Sequence, residues 1–127
     1  MMSRQGSRVL LVEDETLVAL AECRALRDHG YIVGRASTGE EAVSMFGDGD
    51  YGLVLMDIDL GSGIDGVEAA RRILGERTVP IIFVSSHQQG EVEALADGIG
   101  SYSYVPKEAD QSILLEAVEL SLQPQLR

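Results

Sequence analysis

The 127-residue chain has one cysteine, three prolines, no tryptophan and only 5% aromatic residues. A single cysteine, Cys23, excludes an internal disulfide and any cysteine-built metal cluster. It falls in a helical apolar stripe, where it reads as a packing residue. No apolar run approaches the roughly 20 residues that span a bilayer. The opening residues, Met1 to Ser7, lack the apolar core of a signal peptide. The default setting is therefore cytoplasmic, without membrane contact. Bases are scarce as well, 10 against 21 acids, for a net charge of −11. Such a surface repels phosphate backbones and argues against direct nucleic-acid binding. Excess acid fits a solvated surface, but it also fits carboxylates gathered around a divalent cation. Position along the chain has to separate the two.

What is present is a regular alternation of short apolar runs and amphipathic stretches. The 45% hydrophobic content suits one globular domain with a single core, expected over residues 1–127 with its core at about 8–122. Leu53-Val54-Leu55-Met56-Asp57 reads as a strand buried on both faces. Arg8–Val12, Tyr31–Ala36, Pro80–Val84 and Ser101–Val105 read as four more strands. Helices are expected from Thr16 to the Gly30 stop, with Ala19, Leu20, Cys23 and Leu26 as the stripe, and from a Ser37 or Thr38 cap to about Phe46. Others run over Val67–Leu74, closed by Gly75, over about Gln89–Ala96, and over about Ala109–Leu122. In the last, Ile113, Leu114, Ala117, Val118 and Leu120 form a broad face, with Leu115 and Leu122 as an exposed apolar side. Five strands alternating with five helices imply an α/β parallel sheet covered on both sides. Right-handed crossovers leave few topologies, of which the flavodoxin-like (βα)5 doubly wound order 2-1-3-4-5 is the common one at this length and the one expected. Only Gln123–Arg127 follows the last helix, so no output domain is expected.

The polar residues then collect at one place. The first strand ends in Glu13 and Asp14, the third in Asp57, the fourth in Ser85 and the fifth in Lys107. In the 2-1-3-4-5 order these ends are neighbours at the carboxyl edge, where open α/β sheets bind ligands. Singly, an acid caps a helix, a serine ends a strand and a lysine is a solvated charge. Together they suit phosphoryl transfer. Carboxylates bind Mg²⁺ (or Mn²⁺) through oxygen, and the cation lets an acidic cluster receive an anionic group. One carboxylate serves as nucleophile, while lysine and hydroxyl meet the phosphoryl oxygens. Asp57, central in the set, is the candidate nucleophile, which leaves helix capping to Asp65.

From about Arg8 to Leu122 the chain resembles the receiver domain of bacterial two-component response regulators. The matching pieces are Val12-Glu13-Asp14-Glu15, Met56-Asp57-Ile58-Asp59-Leu60, Asp65-Gly66, Pro80-Ile81-Ile82-Phe83-Val84-Ser85 and Tyr104-Val105-Pro106-Lys107. The resemblance implies that Asp57 accepts a phosphoryl group from a sensor histidine kinase or a histidine phosphotransfer protein. It implies metal contacts from Asp14, Asp57 and the Asp59 backbone carbonyl, and from Glu13 through water. Ser85 and Tyr104 would be the switch pair, biasing the surface of the fourth helix, fifth strand and fifth helix toward a downstream protein or a second copy of the chain. Asp59 and His87 fall two residues beyond Asp57 and Ser85, where the family tunes phosphoryl lifetime. This makes the chain a signalling phosphoacceptor rather than an enzyme acting on other substrates.

Two departures stand out. Glu108 follows Lys107 where receivers usually carry proline, so a trans bond is expected there. The Asp57–Asp65 loop is one residue longer than the common pattern, with Gly61-Ser62-Gly63 to absorb it. Other readings remain beside the main one. Asp57-Ile58-Asp59 resembles the Asp-x-Asp of Mg²⁺-dependent aspartate-nucleophile phosphatases, although those place it on an early strand of a longer chain. An unphosphorylated receiver-like scaffold would have no need of the full polar set. A flavin-binding protein of this fold would want a phosphate-cradling loop where Glu13-Asp14-Glu15 stands.

Overall fold

In the computed structural model, which describes residues 7–123, five parallel strands form one sheet in the order β2-β1-β3-β4-β5. The elements alternate as β1 (Arg8–Val12), α1 (Thr16–Asp28), β2 (Ile32–Ala36), α2 (Gly39–Asp48), β3 (Leu53–Asp57), α3 (Gly66–Glu76), β4 (Ile81–Ser85), α4 (Gln89–Leu95), β5 (Ser103–Pro106) and α5 (Gln111–Ser121). The order of the sheet reverses between β1 and β3. That is the switch point of a doubly wound fold.

The period of two along each strand builds two cores. Leu10, Val12, Val54, Met56, Ile81 and Phe83 face α2, α3 and α4. Their neighbours Val9, Leu11, Leu53, Leu55, Ile82 and Val84 face α1 and α5. All five residues of β3 and all five of β4 are buried, which is why these strands read as unbroken apolar runs. Each fully buried Leu, Val, Ile or Phe contributes roughly 1.5–3 kcal/mol. Helix starts follow local chemistry. Thr38 accepts from the Glu41 amide and Asp65 from the Glu68 amide, meeting donors that the first helical turn leaves unpaired.

Several boundaries and faces differ from expectation. Gly75 lies inside α3 rather than ending it; it is exposed with open space beside it, so helix propensity alone does not stop the chain there. Tyr31, Pro80, Ser101 and Tyr102 lie just outside their strands, and Ser85 is the last residue of β4. On α1 the buried arc is Ala19, Glu22, Cys23 and Leu26, whereas Leu20 is exposed. The 100° step carries Leu20 out of the arc that Ala19, Cys23 and Leu26 define and brings Glu22 into it. On α5, Leu114 and Val118 are buried, and Leu115, Ala117 and, just past the helix end, Leu122 pack partly against the same core. Ile113 and Leu120 are the exposed apolar residues instead. Every peptide bond among the described residues is trans, Lys107–Glu108 included.

Candidate functional site

Four chain segments meet at the carboxyl edge. Glu13 and Asp14 are the first residues after β1, Asp57 closes β3, Ser85 closes β4 and Lys107 follows β5. Parallel pairing sets these ends side by side, with Asp57 in register with Val84, and Ser85 with Pro106. Carboxylate oxygens of Glu13, Asp14 and Asp57 lie within 4.8 Å of one another. Glu13 and Asp57 are buried and Asp14 is exposed. Three hard oxygen donors at this spacing, open to solvent on one side, suit a small divalent cation.

Lys107 ties the acids together. Its Nζ donates to Asp57 Oδ2 at 3.0 Å and pairs with Glu13 Oε1 at 3.1 Å and Glu15 Oε1 at 3.3 Å. The other Asp57 oxygen, Oδ1, accepts from the Asp59 amide at 3.2 Å, so both ends of the acceptor carboxylate are held. One cation facing three anions leaves net negative charge in a poorly solvated place. Burial accordingly pushes the Asp57 and Glu13 carboxyls up, and hydrogen bonds from Lys107 and from the Glu15 and Asp59 amides only partly offset it. For Lys107, burial favours the neutral amine, but its bonds to Asp57 and Glu13 outweigh this and hold it above the ordinary lysine value. The lysine stays charged, and a second cation would relieve the acids.

The remaining sequence candidates form a strap along the β4 side. Ser85 is fully buried, and its Oγ accepts from the His87 amide at 3.0 Å. Tyr104, half-buried, donates its hydroxyl proton to the His87 carbonyl at 2.7 Å. His87 Nε2 donates to Asp59 Oδ2 at 2.9 Å, and its Nδ1 lies 3.7 Å from Glu91. The hydrogen bond to Asp59 is the main cause that raises the His87 pKa. His87 thus joins the Ser85 loop to the Asp57 loop.

Sequence reasoning found these residues one by one but missed that Asp59 and His87 pair with each other. It also missed Glu15 as a partner of Lys107, and Gly66, whose bare α-carbon lies against the acceptor. A Cβ at Gly66 would overlap the Asp57 carbonyl oxygen, so glycine there lets α3 start directly beneath the site. The Asp65-Gly66 pair was the signal, since it marks the point where the chain turns into α3.

With this geometry established, the sequence matches the response regulator receiver domain over residues 9–119. The chain belongs to that family. The receiver domain is 35% identical over 116 residues to the transcriptional regulatory protein PdtaR of Mycobacterium tuberculosis, a match covering 91% of this chain and 56% of that protein. It thus spans about half the length of that curated relative. Among solved structures it is similar to the N-terminal domain of a response regulator/sensory box/GGDEF 3-domain protein from Carboxydothermus hydrogenoformans. That match has 37% identity and a TM-score of 0.83, covering 91% of this chain and 94% of the other. The Vibrio cholerae chemotaxis protein CheY4, at 20% identity with a TM-score of 0.86 over 92% of this chain and 99% of its own, shares the fold. Receiver domains of two-component systems interact with histidine kinases or phosphotransfer proteins. Among the described residues no helix is long and apolar enough to cross a membrane.

Proposed function

We propose that this receiver domain takes a phosphoryl group onto Asp57 from the phosphohistidine of a sensor histidine kinase or a histidine phosphotransfer protein. Glu13, Asp14 and Asp57, with the Asp59 backbone carbonyl, would hold Mg²⁺ or Mn²⁺. The observation that carries this reading is the buried Asp57 carboxylate flanked by two further acids and bonded to Lys107 at 3.0 Å. A divalent cation, when bound, neutralises negative charge on the incoming phosphoryl group and on the acids. In the transfer, an Asp57 carboxylate oxygen bonds to phosphorus while the phosphorus–nitrogen bond to the donor histidine breaks. Its electron pair stays on the imidazole. Lys107, already charged and aimed at Asp57, meets the phosphoryl oxygens without reorganising.

Switching follows from the strap. The Ser85 hydroxyl accepts from the His87 amide and keeps its own proton to donate to the phosphoryl group, and turning toward that group draws on the His87 loop. That shifts the loop whose carbonyl holds Tyr104 and biases α4, β5 and α5 between two states. Leu95, Ile113 and Leu120, exposed on α4 and α5, offer apolar contacts on this face for a downstream protein or a second copy of the chain. Asp59 speaks against the phosphatase reading, because its carboxylate is engaged by His87 rather than turned to a substrate.

Incubation with a small phosphodonor such as acetyl phosphate and Mg²⁺, followed by intact mass, tests the proposal. One phosphoryl adduct is expected on the wild type and none on Asp57→Asn. An adduct at full level on Asp57→Asn overturns the site, and steady turnover of small phosphate esters overturns the switch reading.

A further inference from the structure

The corner between β2 and α2 carries none of the acceptor residues, yet it grips both loops that bear them. From β2, Arg35 donates through Nε and Nη2 to the Glu13 carbonyl oxygen, at 3.1 and 2.8 Å. The Glu13 amide donates in turn to the Ala36 carbonyl at 3.0 Å. The backbone of Glu13 is therefore held on both sides by β2, which sets the direction in which its buried carboxylate leaves the chain. From the first turn of α2, Glu40 Oε2 accepts from the Ile64 amide at 3.0 Å. A Cβ at Gly63 would collide with the same carboxylate, and one at Gly39 with the Ile64 side chain. This second grip falls on the long loop that carries Asp59.

We propose that Arg35 and Glu40 are positioning residues for the divalent-cation site, Arg35 fixing Glu13 and Glu40 fixing the Asp59 loop. The inference rests on the cation reading above. Arg35 touches no carboxylate of the cluster and acts through the Glu13 backbone. Its planar fork makes two bonds to one oxygen, which the single ammonium of lysine cannot reproduce. Supports of this kind hold ligand atoms in the geometry a small cation demands.

Charge and geometry make opposite forecasts for Arg35, which is what makes the test decisive. As a positive charge near three acids, Arg35 opposes cation binding, so its removal would strengthen binding by Coulomb's law. As a clamp, it favours binding, so its removal weakens it. Calorimetric titration of the full chain with Mg²⁺, and separately with Mn²⁺, reads the sign. The expected result is a loss of about tenfold in affinity for both Arg35→Met and Arg35→Lys. Arg35→Lys keeps the charge and so isolates the fork. Glu40→Ala should lose about threefold, the worth of one exposed hydrogen bond. Glu40→Gln, whose carbonyl oxygen still accepts from Ile64, should stay close to wild type. Circular dichroism checks that each variant is folded, and should Arg35→Met fail to fold, Arg35→Lys carries the test. If wild type binds the ions and the Arg35 variants bind equally or more tightly, the positioning role is overturned while the cation site stands. The same holds if Glu40→Gln loses as much as Glu40→Ala. A wild type that takes up neither ion overturns both readings together.

Discussion

Replacing Glu22 with glutamine should stabilise the domain at neutral pH and matter little in acid. Glu22 sits on the buried arc of α1, 9% exposed. It lines a cleft of about 350 Å³ whose walls include Val18, Val84, Val105 and Leu114, with Lys107 at one side. Burial raises its carboxyl from the ordinary 4.5 to about 7; the negative charge of Glu13 adds to the rise and Lys107 offsets part of it. Between those two values the folded chain keeps a proton that the unfolded chain has released. Stability present below pH 4.5 is therefore lost as pH rises through 7. The full loss is about 3 kcal/mol, of which about 1 kcal/mol is already gone at roughly pH 5.5 and the rest by roughly pH 8. Glutamine has nearly the same shape and cannot ionise, so it does not suffer this loss. Urea unfolding of wild type and Glu22→Gln at the two pH values reads the effect directly, because other titrating groups cancel in the difference. The advantage of the variant should grow by about 2 kcal/mol from the lower pH to the higher. A difference that does not change with pH, or a variant less stable at the higher pH, would show Glu22 solvated and charged and refute the reasoning.

Four further outcomes follow from the same geometry. Lys107→Met leaves Glu13 and Asp57 buried without their cation and should cost about 3 kcal/mol near neutral pH. Urea unfolding should show that loss shrinking toward acid, as the raised carboxyls protonate, and shrinking on addition of Mg²⁺ by mass action. Gly66→Ala drives a methyl group into the Asp57 carbonyl and should cost about 2 kcal/mol or more in thermal unfolding, despite the gain in helix propensity. Gly75→Ala in the same helix meets no atom within 4 Å and should gain roughly 0.5–1 kcal/mol. His87→Ala cuts the link to Asp59, and loss of the phosphoryl group, followed by intact mass over time, should quicken as water gains access to Asp57. Slower loss would instead make His87 a base for the hydrolytic water.

Much of this was legible before any coordinates, wherever the deciding interaction is local. The strands were visible because burial on both faces of a parallel sheet demands unbroken apolar runs, as in Leu53–Met56. Thr38 and Asp65 were visible as caps because a cap bonds an amide three residues away. The faces of α1 and α5 were less legible. Apolarity alone put Leu20 inside and left Leu115 and Leu122 exposed, but the rotation of a helix is set by all its neighbours at once. Glu22 was drawn inward by the residues around it, and Ile113 and Leu120 were left outward when Leu114 and Val118 took the core.

Asp57 at the end of a central strand, the acids after β1, Ser85 and Lys107 at neighbouring strand ends, and the 2-1-3-4-5 order are all properties of the sequence itself. The strand ends follow from hydrophobic period and chain connectivity, and the order is the common one among the few topologies that right-handed crossovers allow. Which charges meet which partners was decided only in three dimensions. Lys107 reaches Asp57 from 50 residues away and Glu13 from 94, Arg35 reaches the Glu13 carbonyl from 22, and His87 closes on Asp59. The physical reason is range. A strand is specified by neighbours along the chain, whereas an ion pair or a bond to a distant carbonyl needs ångström placement of segments that only the packed sheet brings together.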